Sequence, residues 1–207
     1  MALLVKKPDT KPQFVVFIAA MVMMSMIGIF SSDIYLPSMP YMASYFGVDY
    51  GVIQKTITVY LVGLAVFQLF YGPISDHFGR RRVLIAGLTI YIAASLGCVL
   101  SSSVTQLLLF RFFQAVGACA GLVMGRTIVT DMFDKSESPH VFSIVLPFVA
   151  MSPAIAPVIG GHVQELLGWR FVMAFTVLFG SVLLGIVFFS WARPWTGATS
   201  SRFIRKR

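Results

Sequence analysis

TITVYLVGLAVFQLFYGPIS, residues 56–75, carries no charged side chain, whereas DHFGRRR, residues 76–82, packs an aspartate and three arginines into one short turn. A run of about 20 apolar residues is what a helix needs to cross the hydrocarbon of a bilayer, and a basic cluster is what anchors its end at the surface. The alternation continues in both directions. Upstream lies the uncharged run 14–32. Downstream, 83–110 is interrupted by Ser101, Ser102 and Ser103, residues 104–125 are broken only by Arg111, and 141–161 and 171–192 complete the series. The serines divide the long run, so the pattern predicts six spanning helices and an all-α membrane protein. The runs are continuous rather than alternating with period two, which excludes a β-barrel. Composition agrees, since 57% of the 207 residues are hydrophobic and only 12% are charged, far outside what one water-soluble core can hide.

The formal net charge of +8 invites a nucleic-acid reading, but that needs Lys and Arg gathered on a solvated face. Here they sit between apolar runs, so nucleic acid is excluded as a partner. Their distribution sets an orientation instead. Lys6, Lys7, Lys11, Arg80, Arg81, Arg82, Arg126, Lys135, Arg193, Arg202, Arg205, Lys206 and Arg207 all fall on one side, against Lys55 and Arg170 on the other. Short loops rich in Lys and Arg stay in the cytoplasm, which predicts cytoplasmic termini and an outside location for 33–50. The expected organisation is a cytoplasmic segment 1–13, a six-helix bundle 14–192 and a basic cytoplasmic tail 193–207. The first run is longer than a signal-peptide core and lacks a clear small-x-small cleavage site, so it reads as a retained helix. Cys98 and Cys119 lie inside apolar runs and read as packing residues, with neither a disulfide framework nor a metal motif. His77, His140 and His162 fall at three different membrane edges, so neither a metal site nor a hydrolytic triad is indicated, and no enzyme is expected.

A charge near the bilayer centre costs about 2.5–3.5 kcal/mol even on a lenient insertion scale. Arg111 therefore needs a reason. It either snorkels to the outer interface or faces a water-filled cavity, and Gln114, one turn deeper on the same face, favours the cavity. Asp33 opens DIYLPSMP, residues 33–40. If the first helix continues to about Leu36, this carboxylate lies inside the outer leaflet and can take and release protons; the alternative is an Asp at a solvated helix end. Gly117, Gly121 and Gly125 recur at intervals of four, a spacing that lets helix backbones approach closely. The fifth run holds Pro147, Pro153, Pro157, Gly160 and Gly161, which membranes tolerate where neighbours or water satisfy the freed backbone.

GPISDHFGRRR, residues 72–82, resembles the signature G-x-x-x-D-x-x-G-R-R/K-R/K between the second and third helices of the major facilitator superfamily, with Gly72, Asp76, Gly79, Arg80 and Arg81 at its positions. RFFQAVGACAG from Arg111 is similar to the family's fourth-helix motif through Arg111, Gln114 and Gly117. SPAIAPVIGG, residues 152–161, resembles the fifth-helix antiporter motif G-x-x-x-G-P-x-x-G-G, with Ser152 and Ala156 in place of its first two glycines. DIYLPSMP, YLVGLAVFQLFYGPISD and GWRFVMAF look most like the bicyclomycin-resistance (Bcr/CflA) branch. The cytoplasmic end of the fourth helix departs from that branch's A-R-A-I-V-R-D, reading GRTIVTD with Thr130 in place of an arginine.

The resemblance implies a proton-coupled exporter of small amphipathic or cationic drugs in the bacterial inner membrane, driven by the proton gradient with no cofactor. Asp33, Arg111 and Gln114 would bind proton or substrate. Gly72, Asp76, Gly79, Arg80, Arg81 and Arg126 would form a conformational latch in which Arg126 partners Asp76. Pro153, Pro157, Gly160 and Gly161 would govern bending of the fifth helix. Such transporters are two six-helix halves, each made of two inverted three-helix repeats, and this chain supplies the amino-terminal half. A second half or a second copy is the expected partner, besides membrane lipid. A truncated or frameshifted reading frame or a split gene would account for the tail, and a lone half is expected to leave Asp33 and Arg111 facing lipid. The alternatives are a non-transporting fragment or an uptake symporter, the latter disfavoured by the antiporter motif.

Overall fold

In the computed structural model, residues 11–192 are described, and the expected first ten residues and tail 193–207 lie outside them. The chain runs through α1 (Lys11–Asp33), a 3-10 turn (Leu36–Ser38), α2 (Met39–Phe46), α3 (Tyr50–Phe78), α4 (Arg80–Leu100), α5 (Val104–Met132), α6 (Ser138–Leu167) and α7 (Trp169–Ala192). These make 6 segments long and apolar enough to cross a membrane, because α1, the turn and α2 together form one span, Gln13–Phe46. The helices reach further than the uncharged runs. α5 carries Arg126 and Asp131 inside its last turns, and α3 carries Asp76.

Local chemistry explains the breaks. Asp49 caps α3 by accepting a hydrogen bond from the Gly51 amide at 2.7 Å. The predicted serine break is real: α4 stops at Leu100, and Ser103 starts α5 by accepting from the Gln106 amide at 3.3 Å, while the Gln106 side chain accepts from the Ser102 amide at 3.0 Å. This reciprocal arrangement satisfies donors that a helix start leaves open. Two single-residue joints, Gly79 and Gly168, turn α3 into α4 and α6 into α7, with φ of +90° and +88° respectively. Side chains other than glycine are disfavoured there.

The packing has the exchange symmetry of two inverted three-helix units, α1–α3–α4 and α5–α6–α7. The first helices of the units pack on each other (α1 on α5), as do the last (α4 on α7). The second helix of each packs on the first of the other, α3 on α5 and α6 on α1. α5 is the most buried span, while α3 and α6 are the least buried and present long apolar faces outward.

Small residues set the closest approaches. A Cβ on Gly117 would fall 2.4 Å from the Tyr91 backbone nitrogen of α4, whereas one on Gly121 would meet Ile27 of α1 at 2.9 Å and one on Gly125 would meet Met24 of α1 at 3.2 Å. The glycine stripe of α5 thus serves two neighbours.

Candidate functional site

Arg111 projects from α5 into the middle of the bundle and is 1% exposed. It does not snorkel. The expectation that a single bundle leaves Arg111 facing lipid is corrected here, because α1, α3 and α5 close around it. Its Nη1 donates to the Ser31 carbonyl at 3.1 Å and to the Gln114 side-chain oxygen at 2.9 Å. Its guanidinium carbon stands 3.9 Å from the centre of the Tyr35 ring and 5.5 Å from that of Tyr60. Nε and Nη2 have no hydrogen-bond partner among the described residues, so the aromatic faces are what meets the rest of the charge. A desolvated cation over an aromatic ring gains about 2 kcal/mol, less than the several kcal/mol that burying an ion costs.

Gln114 passes the network on. Its Nε2 donates to Ser95 Oγ at 2.7 Å and to Thr176 Oγ1 at 3.2 Å. Ser31 Oγ donates to the Ile27 carbonyl at 2.6 Å, which makes the Tyr91 hydroxyl the donor in its 2.6 Å contact with Ser31. Thr56 likewise donates to the Ile53 carbonyl, so Tyr35 donates to Thr56 at 2.7 Å. Tyr60 donates to the Gly28 carbonyl at 2.9 Å. Five helices are therefore tied to one cation. Ser31, Tyr35, Tyr60, Tyr91, Ser95 and Thr176 were not singled out from the sequence. A signal existed, since Ser31 in α1 and Tyr35 just before the 3-10 turn, and Tyr91 and Ser95 in α4, are polar pairs four residues apart.

Asp33 closes α1 and is half-buried, and the hydrogen bond described for it comes from Ser32 Oγ at 3.0 Å. The structure does not bring it to Arg111. Two residues beyond Ser31 is about 200° around a helix, which takes Asp33 off the face that Ser31 and Tyr35 turn toward the arginine.

At the Gly79 end, Arg80 is the hub. Its Nη2 pairs with Asp76 at 2.6 Å, its Nε with Asp131 at 3.1 Å, and Nη1 donates to Ser75 Oγ. The cation sits where α3 and α5 end, a position that helix dipoles favour. Asp131 thus takes the role expected for a partner across the bundle. Arg126 is exposed and forms no ion pair with Asp76 among the described residues. Gly72 has nothing near a would-be Cβ, so packing inside this bundle does not require a glycine there. Arg81 is half-buried with an unpartnered Nε.

α6 runs unbroken through Pro147, Pro153 and Pro157. Ser152, Ala156, Gly160 and Gln164 recur every four residues as its buried stripe. A Cβ on Gly160 would fall 2.0 Å from the carbonyl oxygen of Ile34, the residue just past α1, and Gly161 looks toward Pro37 at 4.0 Å. Small positions of the antiporter-like motif are therefore the positions where α6 lies against α1. Pro153 is exposed and Pro157 half-buried.

Comparison with known proteins agrees with this architecture. Residues 16–206 match the Major Facilitator Superfamily. The chain is 36% identical over 173 residues to Multidrug resistance protein D of Escherichia coli, covering 84% of this chain and 43% of that protein. It is 30% identical over 174 residues to the Bicyclomycin resistance protein homolog of Haemophilus influenzae, covering 84% of this chain and 44% of the relative. The chain thus spans less than half the length of these relatives. A bacterial homolog of the human lysosomal transporter Spinster, solved in an inward-facing and unoccupied conformation, superposes with a TM-score of 0.70 at 15% identity, over 89% of this chain and 43% of that one. That likeness concerns the fold alone. A match over nearly the whole chain, a bundle with the symmetry of inverted repeats and relatives of drug-resistance type lead to one conclusion: the chain belongs to the major facilitator superfamily and corresponds to the amino-terminal six-helix part of the resistance proteins it resembles.

Proposed function

We propose that this chain is the amino-terminal half of a proton-coupled exporter of small amphipathic or cationic drugs, working in the bacterial inner membrane with both ends of the bundle's chain in the cytoplasm. The observation that carries the reading is Asp33, a half-buried carboxylate within the apolar span Gln13–Phe46 whose described partner is a neutral serine. A carboxylate in that setting exchanges charge by taking a proton, and the same group, when ionised, attracts a cationic drug. Arg111 and Gln114, enclosed in the bundle, form a fixed polar network behind the path, held by Tyr35, Ser95 and Thr176. The Arg80 cluster with Asp76 and Asp131 latches the cytoplasmic ends of α3, α4 and α5, and the α6–α1 contact at Gly160 is where the bundle flexes. Drug specificity enters from the relatives, which are resistance proteins by name.

Transport needs a site walled by two bundles that rock against each other, so a second six-helix unit is the required partner. Drug accumulation in cells tests this directly. Cells with residues 1–207 alone should show no efflux, and cells also given a second half should show efflux that collapses with the proton gradient. Efflux from the chain alone, abolished by Arg111→Ala, would replace this reading with a homodimeric carrier.

A further inference from the structure

α3 and α4 leave an apolar groove of about 370 Å³ between them near the Gly79 joint, lined by Phe67, Tyr71, Phe78, Ala86 and Ile90, with Arg82 at its rim. Phe78 is 59% exposed and Ile90 39%, so the groove opens on the outside of the bundle. An outward-opening apolar groove between two membrane-spanning helices is a surface that acyl chain can reach. The carboxylates nearby in sequence are already engaged: Arg80 holds both Asp76 and Asp131. Arg82 is exposed and has no ion pair among the described residues. It stands in the first turn of α4, beside Arg81, at the end of the span Arg80–Leu100, and the basic end of a spanning helix is where lipid phosphates are met.

We propose that this groove is a binding site for an anionic phospholipid, one acyl chain lying along the aromatic wall of α3 and the phosphate pairing with Arg82. The chemistry decides between occupants. A helix of the second bundle laid into the groove would cover Arg82 and strip its water, which costs several kcal/mol unless a carboxylate comes with it. A lipid brings the apolar chain and the negative charge in one molecule, in the matching order from membrane interior to surface. The floor of the groove is fixed, because Gly87 lies so close to Ala120 of α5 that an added Cβ would fall 2.2 Å from it. The site is therefore part of the packed bundle and not a gap that side chains could close.

Electron paramagnetic resonance of the full chain in phosphatidylcholine bilayers tests the proposal, with spin-labelled phosphatidylglycerol and spin-labelled phosphatidylcholine as probes. The motionally restricted fraction should favour phosphatidylglycerol. An arginine near the surface contributes about fivefold to such a preference, so Arg82→Gln should reduce it by that factor while Arg82→Lys keeps it. Lys135→Gln, which removes an exposed charge from the loop after α5, should leave the preference intact. Ala86→Phe, which fills the groove, should lower the restricted fraction of both probes, with thermal melting of each variant confirming the fold. An unchanged preference in Arg82→Gln would overturn the site. So would an equal loss in Lys135→Gln, which would indicate diffuse surface attraction. Loss of the restricted phosphatidylglycerol when a second six-helix unit is supplied would assign the groove to that unit instead.

Discussion

The Arg111 guanidinium rests on the Tyr35 ring at 3.9 Å, not on the Asp33 carboxylate two residues earlier in the chain. A buried cation balanced by an aromatic face, a carbonyl and an amide is held without being neutralised. Asp33 has no counter-charge from Arg111, which is the setting the proposed proton- or cation-binding role requires.

The stack itself is measurable. Tyr35→Phe keeps the ring and loses the hydrogen bond to Thr56, so it should cost about 1 kcal/mol. Tyr35→Leu also loses the cation–π contact and should cost about 2 kcal/mol more. Thermal unfolding in detergent separates them. Equal melting of the two variants would mean that the ring face does nothing for Arg111.

Two motif glycines should behave oppositely. Gly160→Ala places a methyl 2.0 Å from the Ile34 carbonyl, which forces α6 off α1, and melting should fall sharply. Gly72→Ala meets no atom within 4 Å, and removing a glycine from a helix interior stabilises by about 0.5–1 kcal/mol. Its melting should be unchanged or higher. A large loss of stability in Gly72→Ala would show a contact that the bundle does not contain.

The Arg80 hub should be worth little in free energy. Asp76 and Asp131 side chains are 65% and 52% exposed, and exposed pairs contribute about 0.2–1 kcal/mol. A double-mutant cycle of Arg80→Gln and Asp131→Asn should give a coupling in that range that shrinks in high salt. The same cycle with Arg126→Gln and Asp76→Asn should give none. Coupling only in the second cycle would restore Arg126 as the partner of Asp76.

Orientation can be read with a membrane-impermeant maleimide. Cys98 and Cys119 are both buried, so background labelling should be low. In intact cells Asp49→Cys should react and His77→Cys should not. The reverse pattern would invert the topology.

Much of this was legible in one dimension because the membrane rule is severe. A helix must satisfy its own backbone in hydrocarbon, so uncharged runs became helices, and Ser101, Ser102 and Ser103 ended one and capped the next. The glycine spacing of α5 announced close packing. What the pattern could not carry was azimuth between helices. Arg126 and Asp131 lie five residues apart on α5, and only the packing of α4 decides that Asp131 and not Arg126 faces the joint. The same holds for Arg111, whose partner on α1 depends on whether Ser31 or Asp33 is turned inward.

Proton-driven drug efflux in inverted membrane vesicles, with a second six-helix unit supplied, tests the central claim most directly. Asp33→Asn should abolish drug-dependent proton movement while the protein remains folded and inserted, and Asp33→Glu should retain part of it. Unchanged proton-coupled efflux in Asp33→Asn would contradict the account and return Asp33 to a solvated helix end.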